Sequence, residues 1–122
     1  MMFCWLTGNN DMHLKNFSLL SYGHGRYELS PAYDLLNVVI ANPSDTEELA
    51  LTLNGKKSRI SLNDFKSAAA KANIQEKVID GLAAHFKKCL PAWEVMIQMS
   101  FLQTELKQAY VELLQKRFES FK

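Results

Sequence analysis

Cysteine is scarce in this sequence: Cys4 and Cys89 stand far apart, with no CxxC pair. That excludes a disulfide framework and points to a reducing compartment. With only three histidines, a Cys/His zinc site is excluded as well. Three prolines and five glycines are too few for a collagen-like or linker-rich chain. No apolar run approaches the roughly 20 residues of a membrane helix. The N-terminus, MMFCWLTGNND, lacks the basic stretch of a signal peptide. The expectation is a soluble cytoplasmic protein with no membrane partner. An excess of one charge is also missing: fourteen Lys and Arg face thirteen Asp and Glu. This balance argues against whole-chain electrostatic binding of nucleic acid. The charge is unevenly placed, however. Residues 1–50 hold two bases and six acids, residues 51–122 twelve bases and seven acids. The acidic first part could hold a cation or be an ordinary solvated surface.

What is present is a globular balance, 48% hydrophobic and 22% charged over 122 residues. That length suits one domain with a real core. It leaves no room for a complete two-lobed nucleotide-dependent enzyme, or for a TIM barrel of about 250 residues.

Residues 2–6 (MFCWL) form an apolar run that reads as the end of a buried element, broken by the turn residues Thr7–Asp11. Residues 17–21 and 26–30 read as two short strands joined by Tyr22-Gly23-His24-Gly25, a β-hairpin that Pro31 ends. Residues 48–53 and 56–60, around Asn54-Gly55, suggest a second hairpin. From Ser61 the period becomes helical. Ser61 and Asp64 resemble a capping box, and Leu62, Phe65, Ala68, Ala69 and Ala72 carry a helix to about Asn73. A second helix is expected from about Gln75 to Cys89, with Pro91 ending it or opening the next. A third is expected from about Ala92 to Phe121, striped by Met99, Leu102, Leu106, Tyr110, Leu113, Leu114, Phe118 and Phe121. That stripe is core or helix-packing surface, with a dimerisation face as the sharper alternative. The cluster Lys56, Lys57 and Arg59 reads as a solvated turn, with partner or nucleic-acid contact as its alternative.

The informative segment is GNNDMHLKN at 8–16. Asp11, His13, Lys15 and Asn16 crowd into six residues, alternating with Met12 and Leu14. Alternation would anchor the loop through Met12 and Leu14 and leave Asp11, His13 and Lys15 on the other face. Asp followed five residues later by Asn is the spacing of protein-kinase catalytic loops. There the Asp orients the attacking hydroxyl and the Asn reaches a metal on the phosphates. A second metal-holding Asp is needed nearby, and Asp34 follows the hairpin that returns the chain. Taken alone, Asp11, Asn16 and Asp34 could instead be turn and cap residues.

GNNDMHLKN followed by SPAYDLLN at 30–37 resembles the HipA-like serine/threonine kinases of bacterial toxin–antitoxin systems, whose pattern is close to G-N-x-D-x-H-x-K-N and then P-x-Y-D. The likeness continues more weakly through residues 49–65. It implies an α+β, predominantly helical, kinase-like C-lobe. Residues 1–40 would hold the catalytic and metal loops with a hairpin, residues 41–60 a second hairpin, and residues 61–122 a three-helix bundle. It further implies Asp11 as catalytic base, Asn16 and Asp34 as magnesium ligands, and His13 and Lys15 beside the ATP phosphates. His13 could equally stabilise the loop, and Lys15 could simply be solvated.

The family's phosphate-covering loop and ATP-pairing lysine precede this motif, which here starts at residue 8. The chain therefore reads as a C-lobe segment, inactive alone, that transfers phosphate to a protein Ser or Thr with ATP and Mg²⁺ once an N-terminal lobe completes it. The implied partners are that lobe, a protein substrate and a HipB-like antitoxin, with DNA met only through the antitoxin. The alternative is a non-catalytic helical module that binds such an antitoxin or self-associates as a homodimer. Apolar surface around Phe3, Trp5 and Leu6, stripped of its neighbour, would be exposed and promote association.

Overall fold

A computed structural model describes residues 1–121. In chain order the elements are α1 (Met2–Leu6), a 3₁₀ turn (Leu14–Asn16), β1 (Leu19–Ser21), β2 (Tyr27–Leu29), α2 (Val38–Ala41), α3 (Leu62–Lys71), α4 (Glu76–Met99) and α5 (Thr104–Glu119). The class is α+β and mostly helical, as expected. β1 and β2 pair antiparallel, Leu19 opposite Leu29 and Ser21 opposite Tyr27. Gly23, His24 and Gly25 all take positive φ in the connecting turn, which glycine allows without strain.

The core gathers α1, α3, α4, α5 and residues 49–60. Met2, Trp5, Leu6, Leu49, Leu53, Ile60, Phe65, Ala69, Ile79 and Phe118 form it. The short α1 is stable because it is enclosed. The Trp5 ring stacks on Phe121 at 5.2 Å between centroids, and Phe65 meets it edge-on at 5.7 Å. Trp5 and Leu6 are fully buried, so the expected exposed apolar surface does not occur at these two residues.

Four sequence expectations are corrected. Residues 48–60 do not form a second ladder. A single bridge joins Leu53 and Lys56, one further backbone bond runs from Glu48 N to Lys57 O at 2.7 Å, and side chains add the rest: Ser58 Oγ donates to Thr46 O, and Lys57 Nζ pairs with Glu47 at 2.8 Å. Pro91 lies inside α4 instead of ending it. It removes one backbone donor, and flanking Leu90 and Trp93 pack on the core, which offsets the penalty a proline carries mid-helix. The last helix is not continuous from residue 92. α4 ends at Met99, where Lys107 Nζ caps the Gln98 carbonyl at 2.7 Å and Ser100 Oγ caps that of Ile97. Met99, expected in the buried stripe, is therefore exposed, whereas Leu114 and Phe118 of the same stripe are buried. Fourth, Lys56 and Lys57 are not merely solvated, since each holds a carboxylate.

α3, α4 and α5 make the expected three-helix bundle. Lys66 of α3 pairs with Glu76 and Asp80 of α4, and Gln115 of α5 donates to Glu94 of α4. The capping box is real: Asp64 accepts from the Ser61 backbone N–H at 3.0 Å and from its hydroxyl at 2.9 Å. Asp64 is buried and also accepts from Lys56 Nζ at 2.8 Å and Asn54 Nδ2 at 3.2 Å. The Lys56 ammonium, joined by these hydrogen bonds, holds the Asp64 carboxyl far below the usual carboxylate range. A lowered folded pKa contributes stability above the unfolded value of about 3.9, lost as pH falls through the folded value. Asp64→Asn is therefore expected to cost about 1–2 kcal/mol at neutral pH. It should also flatten the loss of stability below about pH 4, as read by urea unfolding across a pH series.

Candidate active site

The catalytic-type loop grows directly out of α1. Gly8 takes φ 74° and its carbonyl accepts from the Val38 and Val39 N–H groups of α2. A Cβ there would meet Leu113 and Asn37 at 2.6 and 2.7 Å, so only glycine lets α5, α2 and the loop close on one point.

Beyond Gly8 the loop is tied down by two asparagines. Asn9 Oδ1 accepts from Asp11 N at 3.2 Å, and Asn9 Nδ2 donates to the Asp34 carbonyl at 3.1 Å. Asn10 Nδ2 donates to Asp45 Oδ2 and to the Glu47 carbonyl. Both side chains are buried. The sequence reading took them for turn residues. The one available signal was a pair of amides squeezed between a buried apolar run and an acid.

Asp11 projects into solvent and pairs with His13 Nε2 at 3.0 Å. Met12 is buried as expected. Leu14 is not an anchor, being 73% exposed. The 3₁₀ turn at Leu14–Asn16 breaks the two-residue alternation and rotates Leu14 outward. Lys15 is exposed, and its carbonyl accepts from the Tyr33 hydroxyl at 3.2 Å. Tyr33, absent from the sequence-derived site, thereby pins one loop to the other.

The hairpin returns the chain so that Asp34 meets Asn16. Asn16 Nδ2 donates to Asp34 Oδ2 at 3.0 Å and to the Asp11 carbonyl at 3.2 Å. Asp34 takes φ 56°, a left-handed conformation that Asp tolerates better than most residues. The side chains of Asn16 and Asp34 are thus brought together, with Asp11 joined to them through its backbone carbonyl, His13 paired to the Asp11 carboxylate, and Lys15 tied to Tyr33 through its backbone.

The chemistry of these donors suits a hard cation. Both Asn16 Nδ2 hydrogens are engaged, which turns Oδ1 away from them as an unused acceptor. Asn16 Oδ1 and the Asp34 carboxylate are oxygen donors of the kind magnesium takes beside phosphate oxygens and waters; the amide turns its nitrogen toward Asp34, so shared ligation of one ion requires it to turn over. Among the described residues no group of three or more His, Cys, Asp or Glu clusters as a self-sufficient metal site.

A cavity of about 360 Å³ opens beside this loop, lined by His13, Leu14, Lys15 and Leu51. Among the described residues no helix is long and apolar enough to cross a membrane.

Residues 1–93 match the family of HipA-like C-terminal domains. A protein of Sinorhizobium fredii (strain NBRC 101917 / NGR234), named "Putative kinase Y4dM", is 38% identical over 96 residues, covering 77% of this chain and 24% of its own. The chain thus spans about a quarter of the length of the curated relative it matches. Among solved structures, a chain from the HipA, HipB and operator DNA complex of a Shewanella oneidensis MR-1 toxin–antitoxin system superposes with a TM-score of 0.80. It does so over 98% of this chain and 29% of that one, at 22% identity. This likeness establishes the fold and bears out the C-lobe architecture.

Proposed function

The chain belongs to the family of HipA-like C-terminal domains, and from that membership we propose that it forms the catalytic and metal-holding half of a protein serine/threonine kinase. The observation that carries the reading is the Asn16 amide, which joins the Asp11 backbone to the Asp34 carboxylate across the two loops. Asp11 is the general base that orients the acceptor hydroxyl of a protein Ser or Thr. Asn16 Oδ1, once its amide turns over, and Asp34 would hold Mg²⁺, whose chemistry would be to neutralise charge on the transferring phosphates. His13 orients Asp11 through their 3.0 Å pair, and the exposed His13 and Lys15 would supply positive charge to the ATP phosphates. The chain covers about a quarter of the Sinorhizobium relative, and we assign ATP recognition to the part of such a protein outside the matched segment, so the chain alone is expected not to turn over.

The test is transfer of labelled γ-phosphate from ATP-Mg²⁺. The isolated chain is expected to give none. Exchanged for the matched segment within the Sinorhizobium relative, it is expected to give transfer that falls at least about 10³-fold in Asp11→Ala. Transfer indifferent to Asp11→Ala would contradict the proposal.

A second reading is a binding role, favoured by exposed Val95, Met96, Met99 and Phe101 at the end of α4. Its partner would be a HipB-like antitoxin, since the Shewanella structure contains HipB and DNA, or a second copy of the chain. DNA would be met only through the antitoxin. The two readings are compatible.

A further inference from the structure

Asn9 has no role in the chemistry described above, yet it sits where the two loops meet. Its side chain is only 2% exposed. Its amide orientation is fixed by its partners: the Asp11 N–H can only donate and the Asp34 carbonyl can only accept. Its own backbone N–H donates to the Cys4 carbonyl at 2.8 Å, anchoring it to α1, whose Trp5 and Leu6 are fully buried. One buried amide therefore ties the backbone bearing Asp11 and the backbone bearing Asp34 to the same rigid helix. The tie to Asp34 matters more because that residue holds a left-handed φ of 56°, sparsely populated outside glycine and kept only where surroundings impose it.

We propose that Asn9 is a positioning residue that sets the spacing between Asp11 and the Asn16–Asp34 pair. It acts through the two backbones its side chain joins. The consequence for catalysis rests on the kinase reading, whereas the clamp itself does not. A buried asparagine that merely satisfied its own amide would affect stability alone. A clamp also governs the Asn16–Asp34 contact, which Asn9 does not touch.

The discriminating variant is Asn9→Asp. It is nearly isosteric, keeps the acceptor for Asp11 N, removes the donor to Asp34 O and sets a carboxylate oxygen against that carbonyl. Two readouts follow by NMR. Exchange of the Asn16 side-chain amide protons is expected to rise about tenfold in Asn9→Asp, because their acceptors move apart. The Mg²⁺ dissociation constant at Asn16 and Asp34 is expected to rise about 10-fold or more, as when a supporting hydrogen bond to a ligand is lost. Unchanged Asn16 exchange in a folded Asn9→Asp chain overturns the clamp. If that variant fails to fold, the unmodified chain decides. Slow exchange of the Asn9 Nδ2 protons and the Asp11 N–H supports the clamp, and exchange at the solvent rate overturns it. Should the unmodified chain show no Mg²⁺ response, the kinase reading fails while the exchange comparison still judges the clamp.

Discussion

Replacing Glu48 with alanine is expected to lower the unfolding free energy by about 3 kcal/mol, the low end for a buried pair, because it strips a largely buried charge of its partner. Against a total of roughly 5–15 kcal/mol for a domain, that is a large share. Glu48 Oε2 accepts from Trp5 Nε1 at 3.1 Å and from Ile60 N at 2.8 Å, and its other oxygen pairs with Arg117. The Arg117 guanidinium in turn lies 4.8 Å above the Trp5 ring, a cation–π contact. Its side chain is 11% exposed, so without Glu48 a nearly buried cation loses its counter-charge. One carboxylate thus links α1, residue 60 and α5 at the edge of the core. Burial pushes the Glu48 carboxyl up. Hydrogen bonds from Ile60 and Trp5, together with the Arg117 charge, outweigh it and leave the group below its ordinary value. Like Asp64, Glu48 contributes stability that is lost as pH falls through its lowered folded value. Urea unfolding measures the effect, and a loss under about 1 kcal/mol would show that the cluster is a surface pair.

The second large effect concerns Asp34. Asp34→Ala is expected to raise the Mg²⁺ dissociation constant by about 100-fold or more, beyond the loss of a merely supporting group, since it removes the one charged ligand. The fold should survive, because the Asp34 side chain is exposed and its contact to the core runs through its carbonyl to Asn9. A thermal midpoint within a few degrees of the unmodified chain, about 1 kcal/mol, is the accompanying expectation.

The candidate site stands out in the sequence where chemistry demands fixed residue types at fixed spacing. Asp11, Asn16 and Asp34 stand out for that reason, and the glycine-flanked His24 marks the hairpin that brings the last of them back. The capping box at Ser61 and Asp64 was equally readable, because caps obey local rules. Features set by tertiary packing were not readable. Leu14 turned outward because three residues wound into a 3₁₀ turn. Pro91 stayed helical because Leu90 and Trp93 are held by the core. Residues 46–58 are fixed by Asn10, Lys57 and Ser58 side chains in place of a ladder, which no alternation pattern encodes. Asn9 and Asn10 look like ordinary turn residues until their burial is seen, and Trp5 looked uncovered until Phe65, Phe121 and Arg117 closed over it.

The central claim, that the two loops form one magnesium-holding catalytic site, is tested most directly by titrating the ¹⁵N-labelled chain with Mg²⁺. The account predicts saturable shifts in the millimolar range, centred on the Asn16 side-chain amide and the backbone around Asp34, absent in Asp34→Ala. Shifts centred instead on the carboxylates at Asp45 and Glu47, or no saturable response at Asn16 and Asp34, would contradict it.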